Sequence, residues 1–561
     1  MSRRVEVALV LVVVALGLFL RVEDLGRACF AHPENYAPGW DDPAWVPAPP
    51  ARRATLPDVL RANLADGHPP LWFVAMLPWV KAFGTSLEAL RLPSALTGAL
   101  CVLLVWRLAR REGGALAGLL AALLLALHGP HVFWSRMARM YAPACLLALL
   151  ATLFLVRLVD RGRRRDAFGY VAAAGALLWT QAYGFPIVAA HGLWAAAQAL
   201  RSGTVRRDVL AAVGAAVVVG APILTLAVYQ NPPTKWADPA VEHFDFGFAF
   251  FSGANFFGPR PSAAVSAAGI GYVATAAALL SALFLRGRRP DEASSPLPSP
   301  PVGTFPTPVV WLLAVAATGL QAAFVWRFGG RSAGPVRLLY GTCAVPALVA
   351  AGMPVVARLL RAAGGTRVAR LATAPFLSPT VVLAVVPWAL MALVSLRRPS
   401  FVARGAVLFA PFLLAAVAVG AAALLQVGGK WRRAVGVGVL LAAVTVAGAS
   451  TAYWRESQAS PRDYRGLAAK LLPVLAPDDL VLVQGGYADP PLLYYLSSVG
   501  ARVVPRGGAA ELFPDVARRR VWAVVYDDDA FPAPAFRALG PRDTGRRVEA
   551  YRAAAIELAP R

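Results

Sequence analysis

Val5-Glu6-Val7-Ala8-Leu9-Val10-Leu11-Val12-Val13-Val14-Ala15-Leu16-Gly17-Leu18-Phe19-Leu20 is the stretch that decides the fold. It follows Arg3-Arg4, and a basic pair ahead of an apolar run has the outline of a secretion signal. No small-residue cleavage site comes next; Arg21-Val22-Glu23-Asp24 follows directly. The run is therefore read as a retained membrane helix. Apolar runs of this kind recur down the chain, and runs of about 20 residues span a bilayer as helices. The 561 residues are 58% hydrophobic, far more than a soluble core needs.

Thirteen spanning helices are expected, at 5–20, 89–110, 114–133, 140–159, 167–183, 185–201, 208–229, 264–286, 308–326, 336–360, 375–395, 402–425 and 433–450. The segment Pro69–Gly84 is apolar but holds Pro78 and Lys81, so it is read as a helix lying at the interface, with Trp72 and Trp79 as anchors. Basic residues test the count. With the N-terminus inside, Arg3-Arg4, Arg107/Arg110/Arg111, Arg161/Arg163/Arg164/Arg165, Arg201/Arg206/Arg207, Arg286/Arg288/Arg289, Arg358/Arg361/Arg367/Arg370 and Lys430/Arg432/Arg433 all fall on the cytoplasmic side. The formal charge of +24 is thus explained by topology, with no nucleic-acid partner. An odd count puts the C-terminus outside, in a multi-pass protein of the cytoplasmic (inner) membrane.

Within the membrane domain, residues 1–450, three connections are long. An outer loop runs over 21–84 with juxtamembrane helices, a second outer loop rich in phenylalanine over 230–263, and a Pro- and Ser-rich cytoplasmic linker over 287–307. From 451 to 561 hydropathy drops, and helices alternate with short apolar strands. That pattern predicts an extracytoplasmic α/β domain with a parallel sheet. The overall class is a polytopic α-helical membrane protein carrying a C-terminal soluble α/β domain. Four cysteines, Cys29, Cys101, Cys145 and Cys343, form neither a disulfide framework nor a zinc spacing.

Acidic residues are scarce, 31 against 55 basic ones, yet the first loop carries Glu34, Asp41 and Asp42. Such a loop is suited to holding an acid or base over the membrane surface. Near it, Ser135-Arg136-Met137-Ala138-Arg139-Met140-Tyr141 opens the fourth helix, and Arg337-Leu338-Leu339-Tyr340 opens the tenth. Arg136 and Arg139, three apart, would share a helix face. Arginine's planar fork suits a phosphate; the bland alternative is that these side chains snorkel to headgroups. Asp527-Asp528-Asp529, after a predicted strand, is read mainly as a solvated turn.

His68-Pro69-Pro70-Leu71-Trp72-Phe73, followed by Phe83-Gly84-Thr85-Ser86-Leu87-Glu88-Ala89-Leu90-Arg91-Leu92-Pro93-Ser94-Ala95, resembles a signature of the protein-mannosyltransferase-like proteins of glycosyltransferase family 39. Ser135-Arg136-x-x-Arg139-Met140-Tyr141, Trp179 to Gly184 and Arg337 to Tyr340 with Pro346 are similar to further motifs of that family, so the likeness covers residues 1 to about 450. Relatives include the lipid A aminoarabinose transferases. The resemblance implies a GT-C glycosyltransferase that moves a sugar from a polyprenyl-phosphate donor to an acceptor of unknown identity on the outer face. It also implies a catalytic carboxylate a dozen residues after the Arg that ends the first helix. Counting from Arg21 gives Glu34, although Pro33 stands where the family has Asp; Asp42 and Asp41, after Trp40, are the rivals.

Inverting transfer needs a base, which a carboxylate supplies. It also needs charge stabilisation at the departing phosphate, for which Arg136, Arg139, Tyr141, Arg337, Tyr340 and His68 are the candidates. A divalent metal is compatible with this chemistry, but no ligand spacing marks one. The competing reading is a transporter or flippase of lipid-linked glycans. It lacks the inverted repeat and paired broken helices such proteins carry.

Overall fold

The computed structural model describes residues 2–30, 34, 55–65, 68–202, 207–230, 378–397, 405, 407–426, 433–434, 436–438, 441, 444, 463–476, 479–483, 489–496, 502–505, 520–526, 542–550 and 553–559. Asp41, Asp42, Arg337, Tyr340, the runs 264–286, 308–326 and 336–360, the linker 287–307 and Asp527 to Asp529 lie outside these residues.

The first helix, α1, runs from Arg3 to Val22. Ser2 caps it by accepting from Val5 N, Glu6 lies in its first turn and Arg21 in its last, so each charge faces the favourable end of the helix dipole. Leu11 and Val12 are 60% and 65% exposed, as a lipid-facing surface requires. Two short helices follow, α2 (Leu56–Ala65) and α3 (Leu71–Phe83). At 13 residues α3 measures about 20 Å, too short for a hydrocarbon core of about 30 Å. Its Trp79 is tied to protein, because Nε1 donates to Ala89 O at 2.7 Å.

Helix α4 extends over Leu87–Ala126, broken at Gly114, whose φ of 80° needs a residue without a side chain. The break separates the two spans expected at 89–110 and 114–133. The second of these ends early. His128 caps a separate seven-residue helix, α5 (Gly129–Ser135), with Pro130 in its first turn. Then come α6 (Tyr141–Arg161), α7 (Arg164–Thr180), α8 (Gly184–Ser202) and α9 (Arg207–Gln230). Further along lie α10 (Pro379–Arg397) and α11 (Ala410–Gln426), the latter entered through a 3-10 turn at Val407–Phe409. Among the described residues, α1, α4 and α6 are long and apolar enough to cross a membrane.

The core of the bundle is built on α4, which packs between α1, α6 and α11. Cys101, Val102, Val105, Leu108, Ala121 and Leu125 on it are all fully buried, or within 1% of it. Glu112, beside the break, reaches the start of α10. Its Oε1 accepts from Thr380 N at 3.1 Å, and its other oxygen takes the hydroxyls of Ser378 and Thr380. A carboxylate at a helix N-terminus offsets the orphan N–H groups there.

The C-terminal part holds α12 (Tyr464–Leu471), α13 (Asp489–Leu496) and five strands. The strands are β1 (Leu480–Val483), β2 (Arg502–Pro505), β3 (Val521–Tyr526), β4 (Arg542–Ala550) and β5 (Ala553–Ala559), in the order β2-β1-β3-β5-β4. The sheet is mixed, a correction to the all-parallel expectation. β1 pairs in parallel with β2 and β3, whereas β5 runs antiparallel to both β3 and β4. Only residues 551–552 join β4 to β5, enough for a hairpin but not for a parallel crossover. Within β4 the register shifts between Asp543 and Arg547, where Gly545 has φ 80°.

Candidate active site

The site begins with one arginine on α4. Arg91 is 2% exposed, and a guanidinium has five N–H donors. All five end on acceptors. Nη1 donates to Leu25 O and Ala28 O, each at 2.9 Å, and Nη2 to Cys29 O at 2.9 Å. Nε and Nη2 grip Glu34, at 2.8 Å to Oε1 and 2.7 Å to Oε2. Glu34 is itself fully buried, and its Oε1 also accepts from Ala138 N at 3.0 Å. One ion pair therefore binds three segments together: the chain after α1, the start of α4, and the turn between α5 and α6.

That turn contains Arg136 and Arg139. It is not helical, so the two side chains do not share a helix face as their spacing suggested. Arg136 closes the end of α1, its Nη1 donating to Glu23 O at 2.6 Å and Leu20 O at 3.2 Å, and its Nη2 to Asp24 O at 3.0 Å. A cation bonded to terminal carbonyls is the favourable arrangement at a helix C-terminus. Arg139 goes elsewhere. It is 2% exposed, with Nη2 3.0 Å from His68 Nε2, and its guanidinium lies 5.6 Å from the Phe73 ring centre and 5.8 Å from that of Tyr141. Its carbonyl is fixed by Ser94 Oγ at 2.9 Å. The structure thus brings together His68, Arg139 and Tyr141, with Glu34 one residue away along the turn.

A second buried arginine underlies this cluster. Arg21 is fully buried and donates to Gly17 O at 2.7 Å, Leu125 O at 3.1 Å and Ala126 O at 3.3 Å, and lies 2.9 Å from His131 Nδ1. It serves the carbonyls at the end of α4, so α1 and α4 are joined where both meet the turn. Gly98 makes room for it: a Cβ there would strike Ser135 and come within 3.0 Å of Arg21 Nε.

The C-terminal sheet region rests on the same loop. Tyr495 Oη accepts from Phe30 N at 2.8 Å, Tyr494 Oη donates to Thr85 O at 2.9 Å, and Phe30 stacks on Tyr494 with ring centres 4.6 Å apart. Arg465 Nη2 donates to Gly26 O at 2.6 Å. Burial pushes the Tyr494 phenol up to about 12 and also raises the Cys29 thiol. Neither is ionised at neutral pH.

Sequence reasoning gave no role to Arg91, Arg21, Tyr494 or Tyr495. For the two arginines a signal existed: an ionised group inside an apolar helix is costly and marks a specific partner. Tyr494 and Tyr495 carry none, being ordinary in an α/β segment. Among the described residues, no group of three or more His, Cys, Asp and Glu side chains comes together as a metal site.

Residues 67–226, which include His68, Arg91, Arg136, Arg139 and Tyr141, match the profile of a family described as "Dolichyl-phosphate-mannose-protein mannosyltransferase". No curated protein sequence matches the chain. Among solved structures, ArnT from Cupriavidus metallidurans bound to undecaprenyl phosphate is similar at 16% identity, with 99% of this chain and 98% of that one covered and a TM-score of 0.42. The oligosaccharyltransferase AglB from Archaeoglobus fulgidus, in complex with an inhibitory peptide and a dolichol-phosphate, is similar at 11% identity over 92% of this chain and 69% of that one, TM-score 0.46. The arabinosyltransferase EmbB from Mycobacterium smegmatis is similar at 16% identity over 80% and 40%, TM-score 0.32. His68, Arg91, Arg136, Arg139 and Tyr141 lie in the segment that matches the mannosyltransferase profile, and over that segment the chain resembles that family.

Proposed function

We propose that the protein transfers a sugar from a polyprenyl-phosphate-linked donor to an acceptor on the outer face of the membrane, by an inverting mechanism with a loop carboxylate as base. The observation that carries this reading is the Arg139–His68 contact at 3.0 Å, between the rings of Phe73 and Tyr141, inside the segment that matches the family. A fixed arginine beside a histidine can hold a phosphate and take up the charge that develops on it as the sugar leaves. Aromatic walls lower the local dielectric and strengthen that interaction. Arg337 and Tyr340 belong to the same proposal as further phosphate contacts from the tenth helix.

Glu34, the first choice for the base by spacing, fits a different part here. A general base must accept a proton from the acceptor hydroxyl at hydrogen-bond distance. Both Glu34 oxygens receive Arg91, and one also receives Ala138 N, in a fully buried position. We assign Glu34 to holding the loop and favour Asp42 or Asp41, seven or eight residues further on, as the base. Arg136 is assigned to closing α1 and not to phosphate. The outer-facing placement of this site and of the sheet region follows from the thirteen-helix topology, which forms part of the proposal.

The test is sugar transfer from labelled polyprenyl-phosphate donor by purified full-length protein in nanodiscs. Asp42→Asn or Asp41→Asn should lower turnover by about 10²–10⁴-fold while keeping donor binding. Glu34→Gln should chiefly lower stability, with the turnover of the folded fraction less affected. Full activity in both aspartate variants, with a dead but well-folded Glu34→Gln, returns the base to Glu34. No transfer by the wild type, with donor translocation instead, favours the flippase reading.

A further inference from the structure

At the end of the bundle away from Arg91 and Arg139, α1, α4 and α6 enclose a cleft of about 840 Å³. Arg3, Arg107, Arg110, Arg111, Arg157 and Arg161 line it, facing only two lining carboxylates, Glu6 and Asp160. Three of the six arginines are neutralised. Arg110 binds Glu6 at 2.5 Å, Arg111 binds Asp160 at 2.7 Å, and Arg157 binds Asp166 at 3.2 Å. Among the described residues Arg3, Arg107 and Arg161 have no carboxylate partner. One wall is apolar, formed by Val7, Leu153 and Val156. Trp106 also lines the cleft. The Arg110 guanidinium lies 5.8 Å from its ring centre, and its buried indole N–H meets no acceptor among the described residues.

This combination selects a ligand. Three uncompensated cations in a concavity focus a positive field. Arginine forks are donors that want an anion with several oxygens. A free anion has no use for the apolar wall, which instead suits hydrocarbon. Basic pockets between membrane helices on the side rich in Lys and Arg bind anionic headgroups. We propose that this cleft binds the phosphate headgroup of an anionic phospholipid, with its acyl chains along Val7, Leu153 and Val156. The site lies on the face opposite the transfer site and is independent of the sugar-transfer reading; it rests on the membrane reading alone.

The experiment uses full-length protein in phosphatidylcholine nanodiscs with increasing phosphatidylglycerol, bound lipid being counted by native mass spectrometry. The wild type should retain phosphatidylglycerol over phosphatidylcholine, and millimolar inorganic phosphate should leave it in place. Each arginine near an anionic surface contributes about five-fold in affinity, so Arg107→Gln with Arg161→Gln should weaken retention about 25-fold. The control pair Arg163→Gln with Arg165→Gln makes the same charge change outside the cleft and should shift retention less than about two-fold. Equal loss in both pairs, no preference in the wild type, or displacement by inorganic phosphate would each overturn the proposal. The wild-type preference and the phosphate competition need no variant, so poor folding of the double mutant does not shield it.

Discussion

The two ends of the helical bundle use the same residue for different work. At one end, Arg21, Arg91 and Arg139 are at most 2% exposed, and the guanidiniums of Arg21 and Arg91 lie against backbone carbonyls, histidine or carboxylate. At the other, Arg110 and Arg111 are 45% and 40% exposed in their side chains; Arg111 makes a surface pair with the half-exposed Asp160, while Arg110 reaches the buried Glu6. A buried arginine has no water to fall back on, so an N–H without an acceptor is costly; all five of Arg91 have one, whereas Arg21 Nε meets none among the described residues. A buried arginine therefore ties distant segments together, as Arg91 ties residues 25, 28, 29 and 34 to α4. An exposed arginine is solvated whether paired or not, and contributes chiefly a field. Burial, and not charge alone, therefore decides which arginine holds the structure.

The contrast can be broken from the buried end first. Arg91→Met removes one partner of a fully buried ion pair and strands the Glu34 carboxylate, at a cost of about 3–5 kcal/mol. Thermal unfolding in detergent should show the largest drop of any variant named here. The double variant Arg91→Met with Glu34→Gln should recover part of it, since the stranded charge is gone. A drop no larger for the single variant than for an exposed arginine would show that the pair is not the tie described. Arg136→Met leaves three carbonyls at the end of α1 without their charged donor, and should cost about 1.5–3 kcal/mol by the same measurement. At the exposed end, Arg111→Gln should change stability by less than about 1 kcal/mol, and less still at high salt, because both it and its partner Asp160 face water. A larger loss there would mean that the two ends are not distinguished by burial.

Much of the helical layout was legible because hydropathy is a local property. Arg3–Val22, Tyr141–Arg161, Gly184–Ser202 and Arg207–Gln230 fall within three residues of the expected ends. The failure at 114–133 is instructive. The apolar run continues through His131-Val132-Phe133-Trp134, but His128, Gly129 and Pro130 stop one helix and start another. Hydropathy does not see such a turn when it is buried. The same oversight put Arg136 and Arg139 on a common helix face. β4 and β5 were both missed: Arg542-Asp543-Thr544-Gly545-Arg546-Arg547 in β4 is too polar to read as a strand, and only pairing with β5 makes it one. In the site, the spacing from Arg21 found Glu34 but not its partner. An ion pair across 57 residues leaves no trace in local pattern. His68 and Arg139 were both named as phosphate candidates, 71 residues apart, and the fold brings them into contact.

Arg139, seated against His68, is the group we propose to stabilise the departing lipid phosphate. The most direct test is single-turnover sugar transfer by purified Arg139→Ala and Arg139→Lys, with donor binding measured on the same samples. Removing one preorganised donor to a developing charge costs about 10²–10³-fold in rate. Arg139→Ala should lose that much at saturating donor while its melting temperature stays near that of the wild type. Arg139→Lys should recover only part, because a point charge does not replace the fork. Wild-type turnover by folded Arg139→Ala would contradict the account.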